Sequence, residues 1–457
     1  MARIIILLIS LFAICGARAQ FSGGSSASTG SASDTGYSLT SGTASVSGQT
    51  YTSTNSDENA VQVTGGTLTM TDCTILKSAG DTEDSDGSSF YGINSAVYAG
   101  GSNAVINMTG GTITTTAKGA NAIMAYNGGT VYVSDVVINT TENLSRGIHA
   151  TGGGVIVANN LTITTAGTNC SVIATDRGGG TVTVTEGSYV TTGRDCAVVY
   201  STGTITATDI SGSSSQGEIG VIEGSNSINL YNCNLTSGSS KRGLMVLQSG
   251  SGDSEGYNGV VNIDGGTMTL TDESAPFIEV PTNITATITL NDVTLDVPSD
   301  VLMLVNYNTS WSTYGGTGNL VLTTDSEATY SGAVKADKYS TATVTVGSGV
   351  TWNGAIDTDN EAAATSVSVS GTWVLTADSY VDALTIEAGG SVDTNGYSLN
   401  YGSLSNNGSL VNGIGVVTLT ATEGTDMIFT LSGKRVNNAT TLPAGVYVVN
   451  GKKVLVH

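Results

Sequence analysis

Short runs of alternating apolar and polar residues recur along most of the chain, and each run ends near Gly or Asn. Alternation with a period of two is typical of β-strands, because successive side chains of a strand point to opposite faces. The first apolar residue expected to point inward recurs roughly every 25 residues, which indicates a repeat architecture. These residues are Leu68, Ile106, Val131, Val155, Val182, Ile205, Ile228, Val261 and Ile288. The two longest intervals contain insertions, at 81–92 and 249–259.

Two further short runs follow in each repeat. The first ends in a hydroxyl pair such as Thr140-Thr141, and the second is apolar, as in 147–150 and 197–200. Three strands leave no room for a helix, and such a unit cannot bury its apolar face without stacking on its neighbours at roughly 4.8 Å. The sequence therefore predicts an all-β fold, a parallel β-helix in which each repeat forms one rung. We expect the right-handed form, because parallel crossovers are almost always right-handed.

The N-terminal residues predict a secretory signal peptide at 1–19. A short basic start precedes an apolar run at 4–15, and Ala17 and Ala19 supply small residues before a cleavage site at Gln20. The apolar run is shorter than the roughly 20 residues that a membrane span needs. A lipoprotein signal at Cys15 is the weaker alternative, because Ile14 stands where a small residue is required. We expect no transmembrane segment after cleavage.

The domain organisation follows from the spacing of the repeats. Residues 20–60 are rich in Ser, Gly and Thr and form a flexible leader or an N-terminal cap; 61–306 form the regular β-helix. Residues 307–413 keep strand and turn patterns at looser spacing, which indicates a continued irregular solenoid and cap. Residues 414–457 are more basic and form a small C-terminal β domain, in which Asn450-Gly451 predicts a two-residue hairpin turn.

Residues 61–306 resemble the right-handed parallel β-helix proteins of bacterial surfaces, particularly adhesin-like passengers. The segment 371–384, Gly-Thr-Trp-Val-Leu-Thr-Ala-Asp-Ser-Tyr-Val-Asp-Ala-Leu, is similar to the Trp-x-Leu-Thr-x-x-Ser-x-Val-x-x-Leu stretch near the end of autotransporter passengers. No membrane-barrel pattern follows it in this chain, so we expect a different route of export.

The last residues resemble the C-terminal sorting domain of proteins that Bacteroidetes export by type IX secretion. The matching parts are Leu-Ser-Gly-Lys-Arg-Val at 431–436, Pro-Ala-Gly-Val-Tyr-Val at 443–448 and Lys-Val-Leu-Val at 453–456. The resemblance implies sorting roles for Gly445, Tyr447, Lys452 and Lys453, with the secretion machinery as a partner. It also implies a secreted or outer-surface location on a Gram-negative bacterium. An ordinary terminal hairpin is the alternative interpretation.

Composition and charge exclude several classes of protein. Charged residues are 11% of the chain, Gly numbers 61, and the net charge is −22. Such a composition excludes a helical bundle, a coiled coil and collagen. Nucleic-acid binding is also disfavoured, because phosphate contacts require clustered cations.

An enzymatic role lacks a recognisable motif. The chain has only two histidines, His149 and His457, and no polygalacturonase-like or pectate-lyase-like pattern. Glycoside cleavage requires two carboxylates at a defined separation. Glu223 and Glu279 are expected to share one column two rungs apart, but solvated carboxylates are the simpler interpretation. His149 lies in an apolar run and is expected to be a core or covered residue.

Two acidic loops and one cysteine pair remain. Asp84 and Asp86 in one loop, and Asp357 and Asp359 in another, are candidate calcium ligands, with solvated loops as the alternative. No other cofactor is expected. Cys170 and Cys196 are expected in adjacent rungs, within reach of a disulfide, while stacked buried thiols are the alternative.

The sequence favours a non-enzymatic, exported surface protein, adhesin-like or glycan-binding. Its expected partners are glycans or components of host or other cells, because Tyr faces pack on sugar rings and amides bond hydroxyls. The alternative is a β-helix polysaccharide lyase or hydrolase with an unrecognised active site. Ice binding by threonine ladders is a third interpretation, against which the variable rung lengths argue.

Overall fold

The computed structural model describes residues 36–250, 252–309 and 314–411, and the strand segments 428–430, 435–436, 445–449 and 452–456. Residues 1–35 lie outside this part, so the predicted signal peptide is not covered. Within it, nearly every regular element is a β-strand, and three large sheets are entirely parallel. This arrangement is the predicted parallel β-helix.

Sheet A stacks one strand from each rung in an unbroken parallel order. It contains the third strand that the sequence pattern predicts. Its strands are Tyr37–Leu39, Val61–Val63, Val97–Gly100, Ile123–Tyr126, Ile148–Thr151, Ile173–Thr175, Val199–Ser201, Gly220–Glu223, Leu244–Leu247, Ile278–Val280, Val301–Val305 and Ala333–Ala336.

Sheet B contains two stacks that meet at a corner. The long first stack comprises Thr43–Ser47, Gly66–Lys77, Ala104–Thr115, Thr130–Ser134, Gly154–Thr165, Gly180–Thr191, Thr204–Thr208, Ser227–Tyr231, Asn258–Asp264, Thr285–Asn291, Thr317–Thr323, Thr341–Val346, Ala364–Val369, Ser379–Ile386 and Leu399–Asn406. Four of these strands continue around the corner into the second stack, and the others there are Thr50–Ser53, Val137–Thr140, Ser211–Ser214, Asn234–Ser237, Thr267–Leu270 and Thr294–Asp296.

Sheet C takes the place of the second stack in the later rungs, and sheet D differs from the other three sheets because it is antiparallel. Sheet C contains Ala328–Ser331, Val350–Gly354, Thr372–Leu375, Ser391–Asp393 and Ser409–Val411. The four strands of sheet D pair in antiparallel fashion; they are Ile428–Thr430, Arg435–Val436, Gly445–Val449 and Lys452–Val456. One π-helical turn, Gly87–Tyr91, lies in the first insertion.

The register places apolar residues in continuous inward columns. Val131, Val182 and Ile205 are fully buried and belong to one such column. One predicted member is wrong: Val155 pairs with Thr130 and Thr181 on the outer face, and Ile156 is the buried residue. The run Val155-Ile156-Val157 is apolar throughout, so alternation alone could not decide which residue faces inward.

The corner between the two stacks of sheet B uses residues with positive φ. Asp135, Asn160, Asp209 and Asn232 have φ values of 57°, 50°, 56° and 51°. Asn and Asp tolerate this left-handed region better than other residues with a side chain. Hydrogen bonds join neighbouring rungs here, from Asn160 Nδ2 to Asp135 Oδ1 at 2.7 Å and from Asn232 Nδ2 to Asp209 Oδ1 at 2.5 Å.

A column of buried hydroxyl residues lines the next corner. Thr115, Thr140, Thr165 and Thr191 are fully buried and aligned rung by rung. Thr140 Oγ1 donates to the carbonyl of Ser145 at 2.7 Å, and Thr165 Oγ1 donates to that of Cys170 at 2.6 Å. In this hydroxyl ladder, Thr140 and Thr165 therefore satisfy turn carbonyls inside the fold.

The strand pairing extends the solenoid at both ends of the regular region. The strands from Tyr37–Leu39 to Thr50–Ser53 form a first rung within the segment interpreted as leader or cap. Strands between 317 and 411 continue the stacking at looser spacing, and the rings of Trp352 and Trp373 stack inside at 5.1 Å.

Candidate functional site

The first stack of sheet B presents a long outer surface of parallel strands, which we call the open face. It consists of the outward side chains from Thr43–Ser47 to Thr341–Val346 and is dominated by Thr, Ser and Asn. Parallel pairing stays in register from strand to strand, even where the rungs on either side differ in length. The first insertion, and the second as far as Tyr257, lie in connections to sheet A, so they leave the open face regular.

Charge is nearly absent from the open face. Among its described side chains only Asp264 is ionisable in the ordinary range, although the chain carries a net charge of −22. Asn262 Nδ2 donates to Asn229 Oδ1 at 2.8 Å, so amides join adjacent rungs. The surface is a field of hydroxyl and amide donors and acceptors that can bond neutral polar ligands.

Aromatic residues are scattered on the open face rather than stacked. Tyr132 and Tyr231 are 48% and 40% exposed. Tyr132 has Asn107 and Val157 as its cross-strand neighbours, so it belongs to no tyrosine ladder. The close Tyr pairs occur elsewhere, for example Tyr307 and Tyr339 with ring centroids 5.0 Å apart.

The outer face of sheet A carries buried polar and ionisable side chains. The register aligns Tyr98, Met124, His149, Ala174 and Tyr200 in one outward column. His149 is fully buried, and neither ring nitrogen has a hydrogen-bond partner among the described residues. Burial, reinforced by the nearby Arg146, lowers the pKa of His149 well below its usual value. The expectation of a core or covered histidine is confirmed.

The first insertion crosses sheet A. Asn121 Nδ2 donates to the carbonyl of Ser88 at 3.1 Å, and Arg146 Nη1 donates to Ser89 Oγ at 3.3 Å. At the other end of the strands, Thr151 Oγ1 donates to the carbonyl of Phe90 at 2.7 Å. These contacts hold the insertion across the outer ends of successive rungs.

Arg177 joins the two insertions. Its guanidinium lies 3.8 Å from the ring centroid of Phe90 in the first insertion. The same group donates to Asp253 of the second insertion, at 2.6 Å from Nη2 and 3.0 Å from Nε. Segments that are far apart in sequence therefore meet over the same face of sheet A.

A polar cluster lies beside this junction; we define it as Arg146, Asp176, Tyr200, Glu223 and Ser249, and call it the sheet A cluster. Arg146 Nη2 and Asp176 Oδ2 form a buried ion pair at 3.1 Å. Tyr200 Oη donates to Glu223 Oε1 at 3.0 Å, and Ser249 Oγ donates to Glu223 Oε2 at 2.9 Å.

Burial perturbs both carboxyl groups of the cluster. It raises the pKa of Asp176 to about 6, although Arg146 acts in the opposite direction. It also raises the pKa of Glu223, against the hydrogen bonds from Ser249 and Tyr200. Perturbed carboxyl groups in a loop-flanked site are typical of functional positions.

The expected pairing of Glu223 with Glu279 is wrong. Glu279 aligns with Met245 and Val221, whereas Glu223 aligns with Leu247. Glu279 instead forms an ion pair with Arg242 at 2.8 Å. Extending the register two residues beyond the Ala174–Tyr200 pair aligns Asp176 with Thr202, and one residue beyond Ser201–Ile222 aligns Thr202 with Glu223. Asp176 and Glu223 are therefore the two carboxylates that share a column, two rungs or roughly 9.6 Å of backbone apart.

Cys170 and Cys196 lie in adjacent rungs, as expected. Both are buried free thiols, and the backbone N–H of Cys170 donates to Cys196 Sγ at 3.0 Å. Hydrogen bonds from the Cys170 thiol and backbone lower the pKa of Cys196 to about 7. Whether the pair oxidises to a disulfide stays a prediction.

Two of the candidate calcium ligands, Asp84 and Asp357, accept hydrogen bonds from backbone N–H groups of their own loops. Asp84 Oδ1 accepts the N–H of Gly87 at 2.8 Å, beside Asp86 at the start of the π-helical turn. Asp357 Oδ1 accepts the N–H groups of Glu361 and Ala362 at 2.9 and 3.1 Å, and Asp359 is the exposed residue two positions on. The described part of the chain contains no group of three His, Cys, Asp or Glu side chains placed to hold a metal.

The sorting candidates lie on the predicted terminal hairpin. Gly445 pairs with Val456 and Tyr447 with Val454 across two antiparallel strands. Lys452 and Lys453 pair with Val449 and Val448. The turn residues 450–451 lie outside the described residues.

A polar groove of about 600 Å³ lies at one edge of sheet C, away from the sheet A cluster. Thr329, Thr351 and Thr372 line it together with turn glycines, and Glu327 supplies its carboxylate. It has no cation among its lining residues.

Comparison of the chain with protein-family models, with curated proteins and with solved structures finds no significant match. In the described ranges, no helix has the length and apolar character needed to cross a membrane.

Sequence reasoning missed Asp176 and Tyr200 and misplaced Glu223. The available signal was the pair of insertions, because insertions in solenoids map to loops that often border the binding face. Both insertions connect to sheet A, so outward residues of the third strand were the ones to consider.

Proposed function

We propose that the chain is an exported, non-enzymatic surface protein that binds neutral glycans through the open face of sheet B. The observation that supports this most is the absence of charge, Asp264 apart, from a long hydroxyl- and amide-rich surface of a strongly acidic chain. Neutral sugars offer many hydroxyl groups, which such a surface can bond without desolvating ions.

Exposed tyrosines add a stacking contribution. Tyr132 and Tyr231 place aromatic rings among the hydroxyl groups, and sugar rings pack on aromatic faces. The continuous register of these strands suits an extended glycan that lies across several rungs. An adhesin-like role at the surface of a Gram-negative bacterium follows from this interpretation together with the export signals.

The test is a glycan array probed with the mature chain, residues 20–457, followed by titration of the bound glycans. The double variant Thr183→Glu, Thr206→Glu places two charges at adjacent positions in the middle of the open face. We expect it to weaken binding at least tenfold. Ser326→Glu adds the same type of charge at an exposed turn and should leave binding unchanged.

Binding only to anionic glycans, or equal binding by the double variant, would contradict the proposal. A reducing-end assay with the same glycans tests the alternative, a polysaccharide-degrading enzyme. One observation favours that alternative: Asp176 and Glu223 are two carboxyl groups of raised pKa in one outward column. Release of reducing ends by the wild type, lost in Glu223→Gln, would establish the enzyme instead.

A further inference from the structure

We propose that the outer face of sheet A has a second binding site, centred on Glu223, for a ligand of the amino-sugar class that carries a primary ammonium group. The site lies on the opposite side of the corner from the open face and uses different residues. It therefore does not rest on the proposed binding of neutral glycans by sheet B.

The first argument is the charge around Glu223. Both of its carboxyl oxygens accept hydrogen bonds from neutral hydroxyl groups, those of Tyr200 and Ser249. Asp176 and Asp253 nearby each have an arginine partner, Arg146 and Arg177. Three carboxylates therefore accompany two guanidinium groups, and among the described residues Glu223 is the one of the three without an ion-pair partner.

A desolvated carboxylate without a cation is costly in free energy, so proteins rarely keep one without a function. Desolvation is also the main reason that the pKa of Glu223 is raised. An ammonium group that donates to this carboxylate would supply the missing charge, and hydrogen bonds between ionised groups are about twice as strong as neutral ones.

The second argument is an unpartnered hydroxyl group at the same place. Thr202 is the first residue after the strand Val199–Ser201. It lies in the outward column between Asp176 and Glu223 and is only 3% exposed. Its Oγ1 has no hydrogen-bond partner in the structure. Ser254 Oγ in the second insertion likewise has no partner within the described ranges, and it lies beside Gly224, the residue after Glu223.

Buried polar groups are almost always hydrogen-bonded, so these orphaned hydroxyl groups indicate that a polar ligand completes the site. They favour a ligand with hydroxyl groups of its own beside the amine. Amino sugars have this combination, whereas a simple alkylamine offers only the charge. Tyr200 and Glu223 are both only partly buried, so a small molecule can reach them.

The insertions give the site its walls. Arg177, held between Phe90 and Asp253, closes one side, and Ser249 at the start of the second insertion bonds Glu223 directly. The apolar cluster of Ala197, Val221 and Leu247, with Tyr200 packed against it, forms the floor. An apolar floor with a few convergent polar groups is the usual composition of a small-ligand site.

The test is isothermal titration of the mature chain, residues 20–457, with D-glucosamine, N-acetyl-D-glucosamine and L-lysine. We expect glucosamine to bind at least tenfold more tightly than either of the others. N-acetylglucosamine retains the sugar hydroxyls but lacks the charge, and lysine retains a primary amine without the sugar. Glu223→Gln should weaken glucosamine binding at least tenfold.

Glu255→Gln is the matched control, because Glu255 is an exposed carboxylate of the second insertion. It should bind glucosamine as the wild type does. Thermal melts establish that both variants are folded, and Tyr200→Phe, which removes one hydrogen bond to Glu223, provides a milder variant with an intermediate loss. No measurable binding of glucosamine, equal binding by Glu223→Gln, or equal binding of N-acetylglucosamine or lysine would overturn the proposal. Loss of neutral-glycan binding in the open-face variants would leave this result unaffected.

Discussion

At the scale of single residues, a lysine occupies a position that the hydroxyl ladder otherwise fills. Lys77 aligns with Ser53 and Thr115 and is fully buried. Its Nζ donates to Ser53 Oγ at 3.2 Å and to the carbonyl of Asn55. Burial lowers the pKa of Lys77 to about 8, although Glu58 and Asp57 act in the opposite direction.

This lysine predicts a pH dependence of stability. Between its folded pKa of about 8 and its ordinary value of 10.5, Lys77 is neutral in the folded chain and protonated in the unfolded one. The unfolded state then binds the additional proton, so the free energy of unfolding rises with pH in this window. Relative to Lys77→Met, the wild type should gain roughly 1 kcal/mol between pH 8 and pH 10, after allowance for screening.

Urea unfolding of the two chains at both pH values measures this gain. Any difference between them at neutral pH sets only the offset, and the slope is the predicted quantity. Lys335→Met removes a charge from an exposed position of sheet A and controls for the loss of one lysine. A constant difference between wild type and Lys77→Met from pH 8 to pH 10 would disprove the assignment.

At the scale of elements, the rung is the unit of this fold. The strand Gly154–Thr165 pairs along its whole length with Gly180–Thr191, and the corner residues Asn160 and Glu186 both have positive φ. Turns absorb the differences in length between rungs, so the strands keep their register. Solenoids of this type gain stability from contacts between neighbours rather than from contacts across the chain.

Duplication of one rung should therefore be tolerated. Inserting a second copy of residues 154–179 between Gly179 and Gly180 recreates on both sides the junction that the native strands make. We expect a folded chain whose midpoint of thermal unfolding changes by only a few degrees, and a solenoid longer by roughly 4.8 Å. Circular dichroism and small-angle scattering provide the two measurements.

A scrambled insert of the same composition is the control, because it lacks the alternation that fills the inward columns. It should lower the unfolding midpoint strongly by placing polar groups in the core. If both inserts behaved alike, the inward columns assigned here would not be what holds the rungs together.

At the scale of the whole molecule, charged side chains are distributed unevenly between sheets A and B. The open face of sheet B is almost free of charge, whereas sheet A carries the buried ion pairs Arg146–Asp176 and Arg242–Glu279. In the described segments, the strands of sheet D pair only with one another and in antiparallel fashion. Pairing of this kind indicates that the terminal sheet contributes little to the stacking of the solenoid.

Removal of residues 436–457 should therefore separate export from folding. We expect a folded, protease-resistant β-helix that stays in the periplasm of a Gram-negative host with type IX secretion, because the deletion removes Gly445, Tyr447 and both lysines. Cell fractionation combined with limited proteolysis tests this. The double variant Lys452→Ser, Lys453→Ser keeps the length of the chain and isolates the role of the charges.

Surface display of the truncated chain would refute the sorting role of the terminus. Unfolding of the truncated chain would show instead that the hairpin caps the solenoid.

The sequence by itself determined the architecture, because period-two alternation and a recurring interval between inward residues leave few ways to bury the apolar face. It also indicated the terminal hairpin, the adjacency of Cys170 and Cys196 and the positions of both insertions. Where the pattern was locally uniform it failed: Val155-Ile156-Val157 gave no sign of which residue faces the core.

Only the tertiary structure decided the candidate sites. The distance along the chain between Phe90, Arg177 and Asp253 gives no hint that they meet, because their contact depends on how two insertions fold over sheet A. The partners of Glu223 follow from a register two residues different from the one that spacing suggested. The sequence repeat determines which residues of adjacent rungs stack, whereas the positions of loops inserted between strands depend on contacts that have no periodicity.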